Sequence, residues 1–175
     1  DFTLWNELKR RGHEIMPHSY RHTNLTEIPL AEAKEWVNKC IDVFKEELEG
    51  FRAGESVFNL PYNASTPELE AWLRTRFRAI RTHGDAVNPL PFKNQFRLGC
   101  TSYGPESIDD HLVETINGFL ERPSGWLIYN THGLDDEGWG PLSSSLLDEL
   151  LARLSGMEGV EILPVIPALD TVDSS

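Results

Sequence analysis

Residues 10–22 read RRGHEIMPHSYRH and place two histidines, His18 and His22, four positions apart. The pair follows the run 13–17, which predicts a short strand after a helix that ends at Gly12. Two imidazoles at this spacing can turn toward one point and bind a divalent transition metal through neutral ring nitrogens. Six histidines in 175 residues also produce such a pair by chance, so two solvated or buried histidines are the alternative.

Composition narrows the class of protein and of partner. A chain of 175 residues is enough for one domain with a real core. The 28 acidic residues outnumber the 16 basic ones and give a net charge of −12, which argues against nucleic acid or an anionic membrane as partner, since phosphate binding needs clustered cations. No apolar run reaches the roughly 18 residues of a membrane span. The sequence predicts a soluble protein and leaves its compartment, cytoplasmic or secreted, open.

Helix and strand signals alternate along the chain. Thr66 followed by Pro67 is typical of a helix N-terminus, and Ser107 with Asp110 forms a capping-box pattern. Helices are predicted over 2–11, 29–48, 66–76, 108–119 and 144–154, and strands over 13–17, 56–60, 77–82, 96–100, 126–129 and 160–166. This alternation predicts a single α/β domain with mainly parallel strands.

Several marked residues follow predicted strands. In α/β folds the functional groups lie on loops that leave the carboxyl ends of the strands. His18 and His22 follow the first strand, Pro61-Tyr62 follows the second, and His132 follows the strand 126–129. Their shared placement favours one functional site over unrelated residues.

The order of these motifs carries a family resemblance. RRGHEIMPHSYRH resembles the R-G-H-E-I-x-x-H-[ST]-x-x-H signature of the polysaccharide deacetylase (NodB-homology) family. Leu60-Pro61-Tyr62 resembles the family's Pro-Tyr loop, and residues 127–132 resemble its strand that ends in a histidine. The resemblance spans nearly the whole chain and is loosest from about 83 to 125. It implies an irregular (β/α) barrel.

The same resemblance implies a reaction and its residues. The chain is expected to hydrolyse a non-peptide amide C–N bond, removing N-acetyl groups from a carbohydrate or another N-acylated small substrate. His18 and His22 would bind a divalent transition metal, with zinc expected, that lowers the pKa of a bound water. The backbone amide of Tyr62 would stabilise the oxyanion, and His132 would act as general acid. The alternatives are a Tyr62 ring packed beside Pro61 and a His132 hydrogen-bonded under the barrel rim.

The sequence departs from the family in two places. No Asp-Asp pair, the family's general base and third metal ligand, precedes His18, so we expect residues 1–175 to be one N-terminally incomplete domain lacking its first one or two strands. The open edge of such a barrel could pair with another copy and make a homo-oligomer. The arginine that often precedes the Pro-Tyr loop is replaced by Phe58-Asn59-Leu60. The alternative function is a non-catalytic domain that binds carbohydrate or a protein partner.

The loop after His132 carries two further features. The acidic run 135–137 is a solvated loop or binds a cationic or polyhydroxylated substrate. Trp139 either stacks on a sugar face or anchors the core, and the sequence does not choose between these roles.

Overall fold

The computed structural model describes residues 1–91 and 96–173, which fall into two compact units. The first unit holds residues 1–83, 96–98 and 164–173, and the second holds 84–91 and 99–163. In chain order the helices and strands are α1 (Thr3–Arg10), α2 (Leu30–Glu47), β1 (Val57–Asn59), α3 (Pro67–Leu73), β2 (Ala79–His83), β3 (Val87–Asn88), β4 (Arg97–Ser102), α4 (Ile108–Leu120), β5 (Trp126–Leu127), β6 (Tyr129–Asn130), α5 (Ser144–Ser155) and α6 (Val165–Asp173).

The first unit is built on the parallel strands β1 and β2. Val57 lies opposite Ala79 and Asn59 opposite Arg81, and the N–H of Ile80 donates to the carbonyl of Phe96 at 2.7 Å, just before β4 begins. Helix α2 buries the apolar stripe that its sequence predicts, and each fully buried Val or Ile side chain contributes about 1.5–3 kcal/mol. The buried core of this unit is Leu25, Ala33, Val37, Ile41, Phe58, Leu60, Leu69, Leu73, Phe77, Ile80 and Phe96.

The second unit combines a parallel and an antiparallel strand pair. The end of β4 pairs in parallel with β6, with Thr101 opposite Tyr129, and β3 pairs antiparallel with β5. The buried Asn88 joins these strands, because its side chain donates to the Gly99 carbonyl at 2.9 Å and accepts from the Gly99 N–H at 2.8 Å. The core of this unit is Ile108, Leu112, Ile116, Leu142 and Leu150.

These pairings confirm the α/β class that the sequence predicts. Helices α1 to α5 lie where the apolar periodicity and the Thr66 cap place them. Ser107 does precede α4, but its side chain makes no capping hydrogen bond and its backbone is left-handed, with φ of 58°. The closed barrel and the missing first strands stay predictions.

The predicted strand 13–17 is wrong. This segment belongs to no strand, and the one backbone hydrogen bond that joins it to β1 runs from the N–H of Asn59 to the carbonyl of Pro17 at 2.9 Å. Proline has no N–H to donate, so a ladder cannot continue through this position.

The predicted last strand, 160–166, is also wrong, because helix α6 begins at Val165. The carboxylate of Glu14 accepts from the N–H groups of Val165 and Ile166, at 3.0 and 2.8 Å, and thereby caps the helix. Burial raises the pKa of Glu14 above its usual range, although the two backbone hydrogen bonds oppose that shift. A short apolar run fits strand and helix equally well, and the distant cap decides between them.

The predicted strand 126–129 is divided in two. Ile128 separates β5 from β6, and its N–H donates to the carbonyl of Ala86 at 2.8 Å. The partner strand β3, Val87–Asn88, lies in a segment to which the sequence pattern assigns no element. Among the described residues, no helix combines the length and the apolar character needed to cross a bilayer.

Candidate functional site

His18 and His22 lie together in the first unit. Their ring centroids are 5.0 Å apart and the ring planes meet at 62°. His18 Nδ1 lies 2.7 Å from the carbonyl oxygen of Asn59, at the end of β1. Because a carbonyl only accepts, Nδ1 must carry the proton, which leaves the lone pair on Nε2. This is the arrangement in which an imidazole can bind a metal through Nε2 while a second hydrogen bond fixes its orientation.

The turn between the two histidines is supported by helix α2. The N–H of Tyr20 donates to the carbonyl of Trp36 at 3.2 Å. Beneath the turn, burial raises the pKa of the Cys40 thiol, and backbone hydrogen bonds from His18 and Ser19 partly oppose that shift. Cys40 and Cys100 are both buried.

Ser19 is the strained residue of this turn. Its φ is 71°, in the left-handed region that non-glycine residues rarely adopt. Its hydroxyl oxygen is buried and has no hydrogen-bond partner within the described parts of the chain. Buried polar atoms are nearly always paired, so this hydroxyl and the strain beside two imidazoles single out the turn as a candidate site.

Tyr62 joins the histidine pair from the loop that follows β1. Pro61–Asn63 forms a short 3₁₀ turn in which Pro61 is buried and Tyr62 is 63% exposed. Tyr62 and Asn63 are both left-handed, with φ of 56° and 53°. The Tyr62 ring centroid lies 4.9 Å from that of His22. Three of the four predicted site residues, His18, His22 and Tyr62, are therefore brought together.

Arg81 links the elements that carry these residues, and the sequence gives no sign of its role. Its Nε donates to Asn59 Oδ1 at 2.7 Å and its Nη1 to Asn63 Oδ1 at 2.8 Å. Thr82 Oγ1 also donates to the Asn63 carbonyl at 2.9 Å. Asn59 belongs to the segment Phe58-Asn59-Leu60, which replaces the arginine that often precedes the Pro-Tyr loop in the family, and here a guanidinium reaches Asn59 from the neighbouring strand β2. The role of Arg81 becomes visible only from the register of β1 and β2, in which Asn59 lies opposite Arg81.

His132, the fourth predicted site residue, lies in the second unit after β6. Its ring meets that of Trp139 edge to face, with centroids 5.2 Å apart and planes at 89°. Its Nε2 is 3.4 Å from Asn130 Nδ2, a long distance for a hydrogen bond. The ring is exposed, so it can exchange protons with solvent or a ligand.

His111, also in the second unit, makes a cluster that sequence reasoning missed. The Tyr103 ring stacks on His111, with centroids 4.0 Å apart and planes at 3°. His111 Nδ1 is 2.8 Å from the hydroxyl of Tyr129. Burial, and secondarily Tyr103, raises the pKa of Tyr129, so its hydroxyl stays protonated and can donate to the imidazole. Tyr103 directly follows β4 and Tyr129 begins β6, and two tyrosines beside strands in the sequence are the signal that could have found the cluster.

The described residues fit part of a metal site. His18 and His22 offer two ring nitrogens of the type that zinc and related ions bind. Within residues 1–91 and 96–173, no group of three His, Cys, Asp or Glu side chains could hold an ion. The histidine pair could supply two ligands, and the described residues place no third beside it.

The fold is similar to one of the polysaccharide deacetylase type, as the sequence resemblance predicts. The chain is similar to the solved structure of peptidoglycan deacetylase PdaC from Bacillus subtilis, with a TM-score of 0.59 and 18% identity over 96% of this chain and 68% of that chain. A mutant of the same protein matches with the same values. At this identity the likeness concerns the fold. No protein-family model matches the sequence, and no curated protein does either.

Proposed function

We propose that the chain is a metal-dependent hydrolase that removes N-acetyl groups from a carbohydrate. The observation that carries this proposal is the hydrogen bond between His18 Nδ1 and the Asn59 carbonyl. It directs the His18 lone pair to Nε2, and His22 lies at a ring distance of 5.0 Å. The fold of a peptidoglycan deacetylase supports a carbohydrate substrate, and N-acetylated sugars of the peptidoglycan type are the class that we propose.

In this proposal His18 and His22 hold a divalent ion, with zinc the expected one. When bound, such an ion supplies Lewis acidity to the amide carbonyl and to a water molecule. The N–H of Tyr62 donates to the amide oxygen as negative charge develops there. The left-handed turn at Tyr62 and Asn63, held by Arg81, fixes the direction of that N–H.

His132 protonates the nitrogen of the leaving amine in this proposal. An imidazole titrates near neutral pH, so it can hold a proton and release it at the pH where the enzyme works. This role rests on the sequence motif that ends in His132 and on the exposure of its ring.

A second candidate is a non-catalytic domain that binds N-acetylated carbohydrate. The observation that favours it is the lack of a third ligand side chain beside the histidine pair in the described part of the chain. A carboxylate there would serve both as a ligand and as the base that takes the proton from water. In this candidate the same surface binds a sugar and does not hydrolyse it.

Metal analysis combined with acetate release separates the two candidates. The purified chain is incubated with zinc, dialysed, and assayed on N-acetylglucosamine oligomers and on peptidoglycan. We expect His18→Ala and His22→Ala to lose both the bound zinc and the acetate release. The matched control is His13→Ala, which removes an exposed histidine of the same motif and should change neither. Saturable oligomer binding without acetate release would favour the second candidate, and a His18→Ala variant with full zinc content would contradict the metal site.

A further inference from the structure

The loop from Gly133 to Gly140 is wound so tightly that glycine is required within it. A Cβ at Gly133 would lie 1.9 Å from the Glu137 carbonyl oxygen, and one at Gly138 would lie 2.3 Å from the His132 carbonyl oxygen. Gly138 also has φ of 85°. The loop therefore fixes the direction of the residue that follows Gly138, which is Trp139.

Trp139 is held in place although half of it faces solvent. Its exposed fraction is 52%. A Cβ built on Gly104 would come within 3.1 Å of Trp139 Cζ3, so the six-membered ring lies directly over the Gly104 backbone. The imidazole of His132 packs against the indole at 5.2 Å. An exposed tryptophan held by glycines and an imidazole is a rigid aromatic surface, already ordered for a ligand.

The loop that carries this ring is polar and negatively charged. Asp135 caps α5, because its Oδ1 accepts from the N–H of Ser144 at 2.9 Å, and that bond lowers the pKa of Asp135. Asp136 and Glu137 are exposed in the same loop. A protein partner needs a contiguous apolar patch, whereas a single exposed ring beside an imidazole, in a loop that also carries two exposed carboxylates, suits a small polar ligand with one apolar face.

We propose that Trp139 binds a hexosamine ring, with Asp136 and Glu137 contacting its polar groups. A pyranose has an apolar face of C–H groups that stacks on an indole, and its hydroxyl and amide N–H groups donate to carboxylates. A free amino group on the sugar would be an ammonium ion, which tryptophan and carboxylates both attract. This inference rests on the proposed function and deepens it, because it assigns a sugar-binding surface beside His132.

Calorimetric titration of the full chain tests this surface. The probes are the β-linked trisaccharide of N-acetylglucosamine, its fully deacetylated form, and cellotriose, which lacks nitrogen. We expect Trp139→Ala to raise the Kd of both amino-sugar probes about tenfold, and Trp139→Phe to restore most of the affinity. The matched control is Trp5→Ala, which removes a tryptophan of similar exposure, 46%, from α1 and should leave Kd unchanged. Asp136→Asn with Glu137→Gln should weaken the deacetylated probe more than the acetylated one at low salt.

The outcomes distinguish this inference from the proposed function. Equal Kd values for the wild type and Trp139→Ala, or no saturable binding by the wild type, would overturn the inference. Acetate release with a Trp139-independent Kd would leave the proposed function in place and refute the sugar surface. Trp139-dependent binding without acetate release would support the surface and refute catalysis. Cellotriose binding as tight as the acetylated trisaccharide would contradict selectivity for an amino sugar.

Discussion

Replacing Arg81 with methionine removes the guanidinium that joins Asn59 to Asn63 and keeps most of the apolar stem. The losses include its hydrogen bonds to Asn59 and Asn63, of 2.7 and 2.8 Å. A hydrogen bond from a charged group contributes about 1.5–3 kcal/mol when it is well shielded from water. Arg81 is only partly buried, so we expect each bond to contribute about 1 kcal/mol to the free energy of unfolding. The expected loss in the free energy of unfolding is therefore about 2 kcal/mol.

The Arg81→Met variant should also loosen the histidine pair. Asn59 both accepts from Arg81 and holds His18 through its carbonyl. We expect the His18 Nδ1–H signal in an ¹⁵N-edited NMR spectrum to broaden or to exchange faster, while zinc affinity falls about tenfold. The free energy of unfolding is measured by urea denaturation, with the slope compared between variants to confirm that the same surface unfolds.

Arg52→Met is the matched control for this prediction. Arg52 makes one exposed ion pair with Glu55, at 3.0 Å, and such pairs contribute about 0–1 kcal/mol. If Arg81→Met costs no more stability than Arg52→Met, and the His18 signal is unchanged, the network through Arg81 does not position the site.

Three further predictions concern the supports of the fold. Thr66→Ala removes the side chain that accepts from the first turn of α3 and should lower the free energy of unfolding by about 1 kcal/mol in urea titrations, with no loss expected for a serine replacement. The folded-state pKa of Glu14 is raised, so its contribution to stability is full at low pH and decreases as pH rises through that pKa. The stability of the wild type relative to Glu14→Gln should thus fall as pH rises above about 4, the usual pKa of a glutamate, and a stability difference that grows with pH would contradict the raised pKa. Gly138→Ala should destabilise the chain by more than about 1 kcal/mol, the usual cost of forcing a residue to φ > 0, because the added Cβ would also collide with the His132 carbonyl. Gly12→Ala, at φ of 97° but with open space around it, should cost only the backbone strain. Equal thermal shifts for the two variants would show that the contact is unimportant.

The parts of the fold that local chemistry determines could be predicted from the sequence. Helix α2 follows from the spacing of Ala33, Val37 and Ile41, and α3 follows from Thr66 and Pro67. The strand pattern is less local, because a strand is defined by its partner. Segment 13–17 has the apolar character of a strand but makes one backbone hydrogen bond to β1. The predicted strand 160–166 overlaps the start of α6 at Val165, where Glu14 caps the helix.

The residues of the candidate site also fall into those that the sequence predicts and those that it does not. His18, His22 and Tyr62 could be predicted because their motifs are short and continuous in the sequence. Arg81 and His111 could not, since their roles depend on the strand register beside Asn59 and on ring contacts with Tyr103. His132 was predicted from its motif, but its packing against a tryptophan seven residues later follows only from the glycine loop.

Zinc titration followed by NMR of the histidine side chains tests the proposed metal pair most directly. In the metal-free chain, His18 should be in the tautomer protonated at Nδ1, because of its hydrogen bond to the Asn59 carbonyl. With stoichiometric zinc, Nε2 of His18 and one ring nitrogen of His22 should shift together, while the exposed His13 should not. If the ring-nitrogen signals of His18 and His22 do not shift, or if that of His13 shifts with the same zinc dependence, the pair does not bind metal specifically. The proposed hydrolase would then have no metal centre.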